Sequence, residues 1–360
     1  MNIFFAGPEN TIIANEDSGF IKSLALAADS HAGLRVVDDA QGADVIAVDE
    51  RYSYKTWTYA QVLLSCPFIQ RFGGRIAVLN HDDQARVFLP GLYVSLEQSR
   101  PPLVPALPIP YKRDLWKIEI ADFAKSEGGK YLWTFRGSCR THPVRRKIWA
   151  HLHRDPRGAI DVVDREFHSH SKEDQAVFAS SLLSGDFSLC PRGFSPSTYR
   201  VFESMQLGRC PVVVSDDWLA PAAIDWGACS LRVHEADVGR LAEILESNRG
   251  SASELGRNAR AEWERRLAWP VRLHGFLDSV ISVARSPKFG TSIEEISSLW
   301  GSARFRDLYD WTLPGRLKSR IKRQIESVER RRFEFRLSKA SNDKGVLLKR
   351  GGIDNRISGC

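Results

Sequence analysis

The 360-residue sequence has no run of about 18 apolar residues, so nothing in it reads as a transmembrane helix. Its opening, "MNIFFAGPEN", has neither the basic segment nor the apolar length of a signal peptide. The six cysteines, at 66, 139, 190, 210, 229 and 360, form no C-x-x-C pair, which argues against a zinc ribbon or a thioredoxin-type site. Cys360 is the last residue, whereas prenylation needs a cysteine four from the end. Glycine and proline follow no short period and no solenoid repeat is visible. The expectation is a cytoplasmic globular protein whose thiols serve as small hydrophobes in a reducing compartment.

Charge is present but unevenly spread. The formal net charge is +7, yet residues 316–350 alone hold 13 Lys and Arg against 4 Asp and Glu. The rest of the chain is close to neutral, so any attraction to a polyanion or an anionic membrane belongs to the tail, and nucleic acid is not an expected partner. Within "GRLKSRIKRQIESVERRRFEFRLSK" (315–339), Leu317, Ile321, Ile325 and Val328 form one helical stripe among basic residues. That pattern suits peripheral contact with the inner face of a cell membrane, and equally a solvated or partner-binding helix.

Elsewhere, short apolar runs alternate with helical stretches. Strands are expected near 2–6, 34–38, 43–49, 75–80, 92–96, 131–135, 160–163, 187–190, 211–215 and 229–233. Such alternation implies parallel βαβ units. The expected fold is therefore α/β, with two Rossmann-like doubly wound domains facing each other across a cleft. Residues 1–112 would form the acceptor-side domain and 113–270 the nucleotide domain. Residues 271–312 would be a helical segment packing back across the body, and 313–360 a partly disordered basic tail. The proline-rich "RPPLVPALPIPYKRD" (100–114) reads as the linker between the domains.

Two loops at predicted strand ends share a pattern, "FRGSCRTHP" (135–143) and "PRGFSPSTYR" (191–200). Each places Arg-Gly at the strand end (Arg136-Gly137 and Arg192-Gly193), then hydroxyls, then a helix start. Glycine admits a close backbone, helix N-termini attract anions, and arginine binds phosphate oxygens in pairs. In the second loop Ser197 and Thr198 precede a helix on which Arg200 and Glu203 share a face. Arg200 would reach a phosphate and Glu203 a ribose, which together describe a nucleoside diphosphate. The alternative is an intrahelical Arg200–Glu203 ion pair with Arg192 solvated.

This stretch resembles the exostosin family of GT-B glycosyltransferases in Pro191-Arg192-Gly193, the Thr198-to-Glu203 helix start, Gly208, and Pro211 to Asp216. Thr198 stands where the family usually has serine. Weaker similarity runs from about 76 to 270 and takes in "NHDD" (80–83), "FRGS" (135–138), "AIDWG" (223–227) and "WERRLAWP" (263–270). The resemblance implies transfer of a sugar with inversion from a nucleotide sugar, UDP- or GDP-linked, without metal or other cofactor. The implied acceptor is a glycan or lipid-linked oligosaccharide of surface polysaccharide synthesis. A base is then needed in the first domain, and Asp82 and Asp83 are the candidates, with His81 behind them. The same side chains also suit an Asx turn or a helix cap.

Remaining signals are weaker. His168 and His170 in "FHSH" lack further placed ligands, and "SDDW" (215–218) reads as cap or acceptor-side residues rather than a metal motif. Trp218 and Trp226 suit a core as well as a sugar face. A fucosyltransferase-like GT-B enzyme using a GDP-sugar is a second reading, disfavoured because no lysine occurs between 173 and 287. A non-catalytic polyanion or membrane binder acting through the tail is a third.

Overall fold

The computed structural model describes residues 1–17, 19–50, 57–83, 86–112, 129–163 and 172–308, and five positions between 324 and 332. Two compact units divide the chain, Met1–Tyr309 and Asp310–Cys360. In the second, the described positions are helical and exposed. Most of the basic stripe, like His168 and His170, lies outside the described residues.

The first unit begins with β1 (Asn2–Ala6), α1 (Gly19–Asp29), β2 (Arg35–Val36), β3 (Val45–Asp49), α2 (Trp57–Ser65), α3 (Pro67–Phe72), β4 (Ile76–Asn80), β5 (Gly91–Tyr93) and β6 (Ala106–Pro108). These strands make one sheet in the order β2-β1-β3-β4-β5-β6, parallel throughout. "VIAVD" and "IAVLN" are buried along their whole length, as strands covered on both faces must be. Helices α2 and α3 are separate because Pro67 opens a new helix after the extended Cys66.

A second sheet follows from β7 (Tyr131–Gly137), α4 (Pro143–Leu152), β8 (Gly158–Val162), α5 (Lys172–Leu183), β9 (Gly185–Pro191), α6 (Tyr199–Gln206), β10 (Cys210–Val214), α7 (Trp226–Cys229) and β11 (Leu231–Arg232). Its order is β11-β10-β9-β7-β8, again parallel. The chain then runs through α8 (Leu241–Ser247), α9 (Ala252–Glu262), α10 (Val271–Ala284), α11 (Ile293–Trp300) and α12 (Ala303–Leu308). Helix α10 packs on α1 and on β4, β5 and β6 of the first sheet. Arg272 at its start donates to the carbonyl of Tyr111, 3.2 Å away, and one buried cluster runs from Ile3 and Leu79 through Phe276 to Phe202 and Met205. Two doubly wound α/β layers thus share a continuous core.

The proline-rich stretch departs from its reading as a linker. Residues 106–108 form the outermost strand, paired with β5 through Leu92 and Leu107. An edge strand has one side without ladder bonds, so Pro108 removes nothing the sheet needs there.

Candidate functional site

In the second sheet β7 lies between β8 and β9, so the chain leaves β7 in one direction and returns on its other side. That reversal is a topological switch point, where loops diverge and open a crevice beyond the strand ends. The two Arg-Gly loops emerge there, from β7 and from β9.

The loop after β9 is held on every side. Arg192 donates its backbone N–H to Val214, Ser215 donates to the Pro196 carbonyl at 2.8 Å, and Ser197 donates its N–H to Ser195 Oγ at 3.0 Å. Thr198 caps α6 in extended conformation, and its hydroxyl makes no cap bond. At the far end Gly208 adopts φ +66°, the left-handed turn by which α6 ends and β10 begins.

Arg200 and Glu203 are both buried on α6, at 7% and 3% exposure. The Arg200 guanidinium lies 4.7 Å over Phe135 and 5.7 Å over Phe178, and it donates to the Arg136 carbonyl. It therefore stands behind the β7 loop rather than open to solvent, which differs from the phosphate contact expected of it. Burial holds its pKa below the usual arginine value, an effect the Glu203 carboxylate opposes. Gly137 makes this packing possible, since a Cβ there would lie 2.7 Å from Arg200 Nη2. Gly137→Ala is expected to lower the unfolding free energy by about 1–2 kcal/mol, because the buried guanidinium would have to give up its place on the Arg136 carbonyl. Urea denaturation measures it, and an unchanged midpoint would contradict this packing.

Arg145, on α4, was not anticipated. Its Nε donates to Arg192 O at 2.9 Å, Nη1 to Ser138 O at 3.0 Å and Nη2 to Pro191 O at 3.0 Å. One buried guanidinium thus ties both loops together through their carbonyls. Burial, then the like charge of Arg200, pushes its pKa down to about 9, which still leaves it charged at neutral pH. Its signal in the sequence was placement: Arg145, Trp149 and Leu152 share a helical stripe that is otherwise apolar.

Arg136 turns sideways and pairs with Asp161 on β8. Arg192 faces the other domain, where its Nη2 lies 3.4 Å from Glu97 Oε1. Its Nε is buried without a hydrogen-bond partner. Around it the first domain supplies a wall. Ser95 and Ser195 hydroxyls meet at 2.6 Å, Leu219 N–H donates to Leu96 O, and Ser99 donates N–H and hydroxyl to Asp217 at 2.7 and 2.6 Å. Tyr111 stacks on Tyr199 at 3.5 Å, and its phenol lies against Ser195 and Ser197.

Beyond β4, the adjacent carboxylates separate. Asp82 is 6% exposed, takes its backbone N–H to Asn80 Oδ1 at 3.1 Å and accepts from Asn80 Nδ2 at 3.2 Å. Asn80 also donates to Glu50, which accepts the Tyr59 hydroxyl, so Asp82 belongs to a network inside the first domain. His81 packs edge-on to Phe20 and Phe276. For Asp83, burial raises the pKa and the charge of Arg145 opposes the rise. The charge of Arg145, on α4 of the second domain, thus acts on Asp83.

The exostosin GT47 domain model matches residues 52–248, just over half of the chain and all of the features above from Tyr59 to Asp217. The chain belongs to the exostosin GT47 family. It is 31% identical over 153 residues to a probable glucuronoxylan glucuronosyltransferase of Arabidopsis thaliana, covering 39% of this chain and 28% of that protein. With an Exostosin-1 homolog of Caenorhabditis elegans it shares 28% over 173 residues, covering 42% and 44%. The aligned region thus spans less than half of each relative. Among solved structures, Anabaena HepE in complex with UDP and glucose aligns with 78% of this chain and 99% of that one at 12% identity, TM-score 0.39. Acinetobacter baumannii MurG aligns over the same shares at 12% identity, TM-score 0.36.

Other motifs of this exostosin-family chain have structural posts. Asp216 caps the turn at Glu235, Asp225 caps α7, and Trp218 is buried in the core against Trp226. Burial pushes the Cys190 thiol up to about 11 and Cys210 to about 12, so both stay protonated. Among the described residues, no group of three His, Cys, Asp or Glu is placed to hold a metal ion.

Proposed function

We propose that the chain is a glycosyltransferase that binds a nucleotide sugar, UDP- or GDP-linked, at the β7–β9 switch point and transfers the sugar with inversion, without a metal ion. The observation that carries this reading is the pair of Arg-Gly loops at the switch point, fastened together by Arg145. In the step, Asp83 takes the proton of the acceptor hydroxyl, the oxygen attacks the anomeric carbon from the far side, and the bond to the diphosphate breaks. Arg192 stabilises the charge that develops on the leaving diphosphate. Glucuronosyl transfer, borne in the names of the plant relatives, is the first sugar to test. The acceptor would be a glycan or a lipid-linked oligosaccharide. Among the described residues no helix is long and apolar enough to cross a membrane, and the basic residues near 315–339 would bring the protein to an anionic lipid surface.

Calorimetric titration of UDP, GDP, CDP and dTDP, with and without magnesium, into the wild type and Arg192→Ala tests the reading. Selective, magnesium-independent binding is expected. Its weakening by about tenfold to a hundredfold in the variant follows from losing charge-assisted phosphate bonds. No binding to folded wild type would remove the nucleotide site and favour a polyanion binder acting through the tail.

A further inference from the structure

Glu97 occupies a position that the transfer reaction alone does not explain. It follows β5 in the first domain, in a segment that pairs antiparallel with the second domain through Trp218. Its two carboxylate oxygens serve two arginines of different character. Oε1 lies 3.4 Å from Arg192 Nη2 in the loop after β9, and Oε2 lies 3.1 Å from Arg100 Nη1 three residues along its own segment. The side chains of Glu97 and Arg192 are 19% and 13% exposed, so their charges are only partly screened by water. The Arg192 contact is long, and the buried Nε of the same guanidinium makes no hydrogen bond. Arg192 is thus loosely held by a carboxylate while retaining unused donor capacity. The Arg100 contact is shorter and more exposed, at 43% for that arginine.

We propose that Glu97 is an exchangeable internal counter-ion of the diphosphate site. It neutralises Arg192 while the site is empty, shifts to Arg100 when a diphosphate arrives, and returns to compete with the spent diphosphate as product leaves. A diphosphate presents two charged, fork-matching oxygens to Arg192 where Glu97 presents one at 3.4 Å, so the exchange favours the ligand. The displaced carboxylate keeps a partner in Arg100, so no buried charge is stranded. The segment that carries Glu97 also holds the interdomain contacts of Ser95 and Ser99, so occupancy of the phosphate site is read directly by the junction between the two layers.

This inference rests on the proposed nucleotide site, and the probes separate the two. Inorganic pyrophosphate and the four nucleoside diphosphates are titrated into wild type, Glu97→Gln, Arg192→Ala and the double variant, with Glu97→Ala as a second removal and thermal unfolding as the check on folding. Glu97→Gln and Glu97→Ala are expected to tighten pyrophosphate and the preferred nucleoside diphosphate by about fivefold to tenfold. In the Arg192→Ala background the same change should have no effect, since the competition is for that guanidinium. Unchanged or weaker binding in both Glu97 variants overturns the exchange, as does equal tightening without Arg192. Tightened pyrophosphate with no nucleotide bound by any form would uphold the exchange and sink the nucleotide reading. If neither probe binds folded wild type, both fall.

Discussion

Asp83→Asn is expected to lower kcat by about a hundredfold to ten-thousandfold, the usual contribution of a positioned general base. The donor KM should move little, because the proposed donor contacts lie in the second domain and Asp83 belongs to the first. Burial raises the Asp83 pKa, so the acid limb of the wild-type pH–rate profile should lie above the range of a free aspartate. The sign for stability runs the other way. A carboxyl whose folded pKa is raised favours folding fully below its unfolded pKa, and that contribution is lost as pH rises through the folded value. At neutral pH the ionised Asp83 therefore costs stability, and the Asn variant should unfold no more easily than wild type. Steady-state kinetics between pH 4 and 9 with urea denaturation make the test. Normal turnover in Asp83→Asn, alongside a collapse in Asp82→Asn, would move the base to the other carboxylate.

Arg145→Met should be the most destabilising single change at the site. It leaves the carbonyls of Ser138, Pro191 and Arg192 without their shared donor in a buried place. At about 1–3 kcal/mol for each buried acceptor left unsatisfied, the loss should reach about 3–5 kcal/mol, a large part of the stability of an ordinary domain. Lysine cannot span three carbonyls with a planar fork, so Arg145→Lys should recover only part of the loss. Loss of the charge also removes what opposes the rise in the Asp83 pKa, so in any folded Arg145 variant without a cation the acid limb should shift to higher pH. A packing role alone would not move that limb. An unfolding free energy within about 1 kcal/mol of wild type would show that the three bonds are not holding the loops.

The sheets were legible because parallel strands buried on both faces read as continuous apolar runs, and "VIAVD", "IAVLN" and "CPVVV" do so. The two Arg-Gly loops do lie at the ends of adjacent strands, β7 and β9, because each apolar run stops at its arginine and glycine. Less could be read where the sequence admitted two geometries. Asp82 and Asp83 are chemically identical neighbours, and only the fold binds Asp82 to Asn80 while the charge of Arg145 acts on Asp83. The proline-rich segment looked like a linker because proline breaks most ladders, and it turned out to lie where no ladder bond is lost.

By itself, then, the sequence determined the alternation of strands and helices, the two loops and the family they resemble, because each of these is set by neighbours along the chain. Which strands lie side by side was decided only in the folded molecule. Placing β9 next to β7 brings Gly137 against Arg200, and lets Arg145 reach residues 46 and 47 positions away. Packing the two layers sets Glu97 against Arg192 across 95 residues of chain. Contacts of that kind depend on sheet order and domain packing, which local periodicity does not encode.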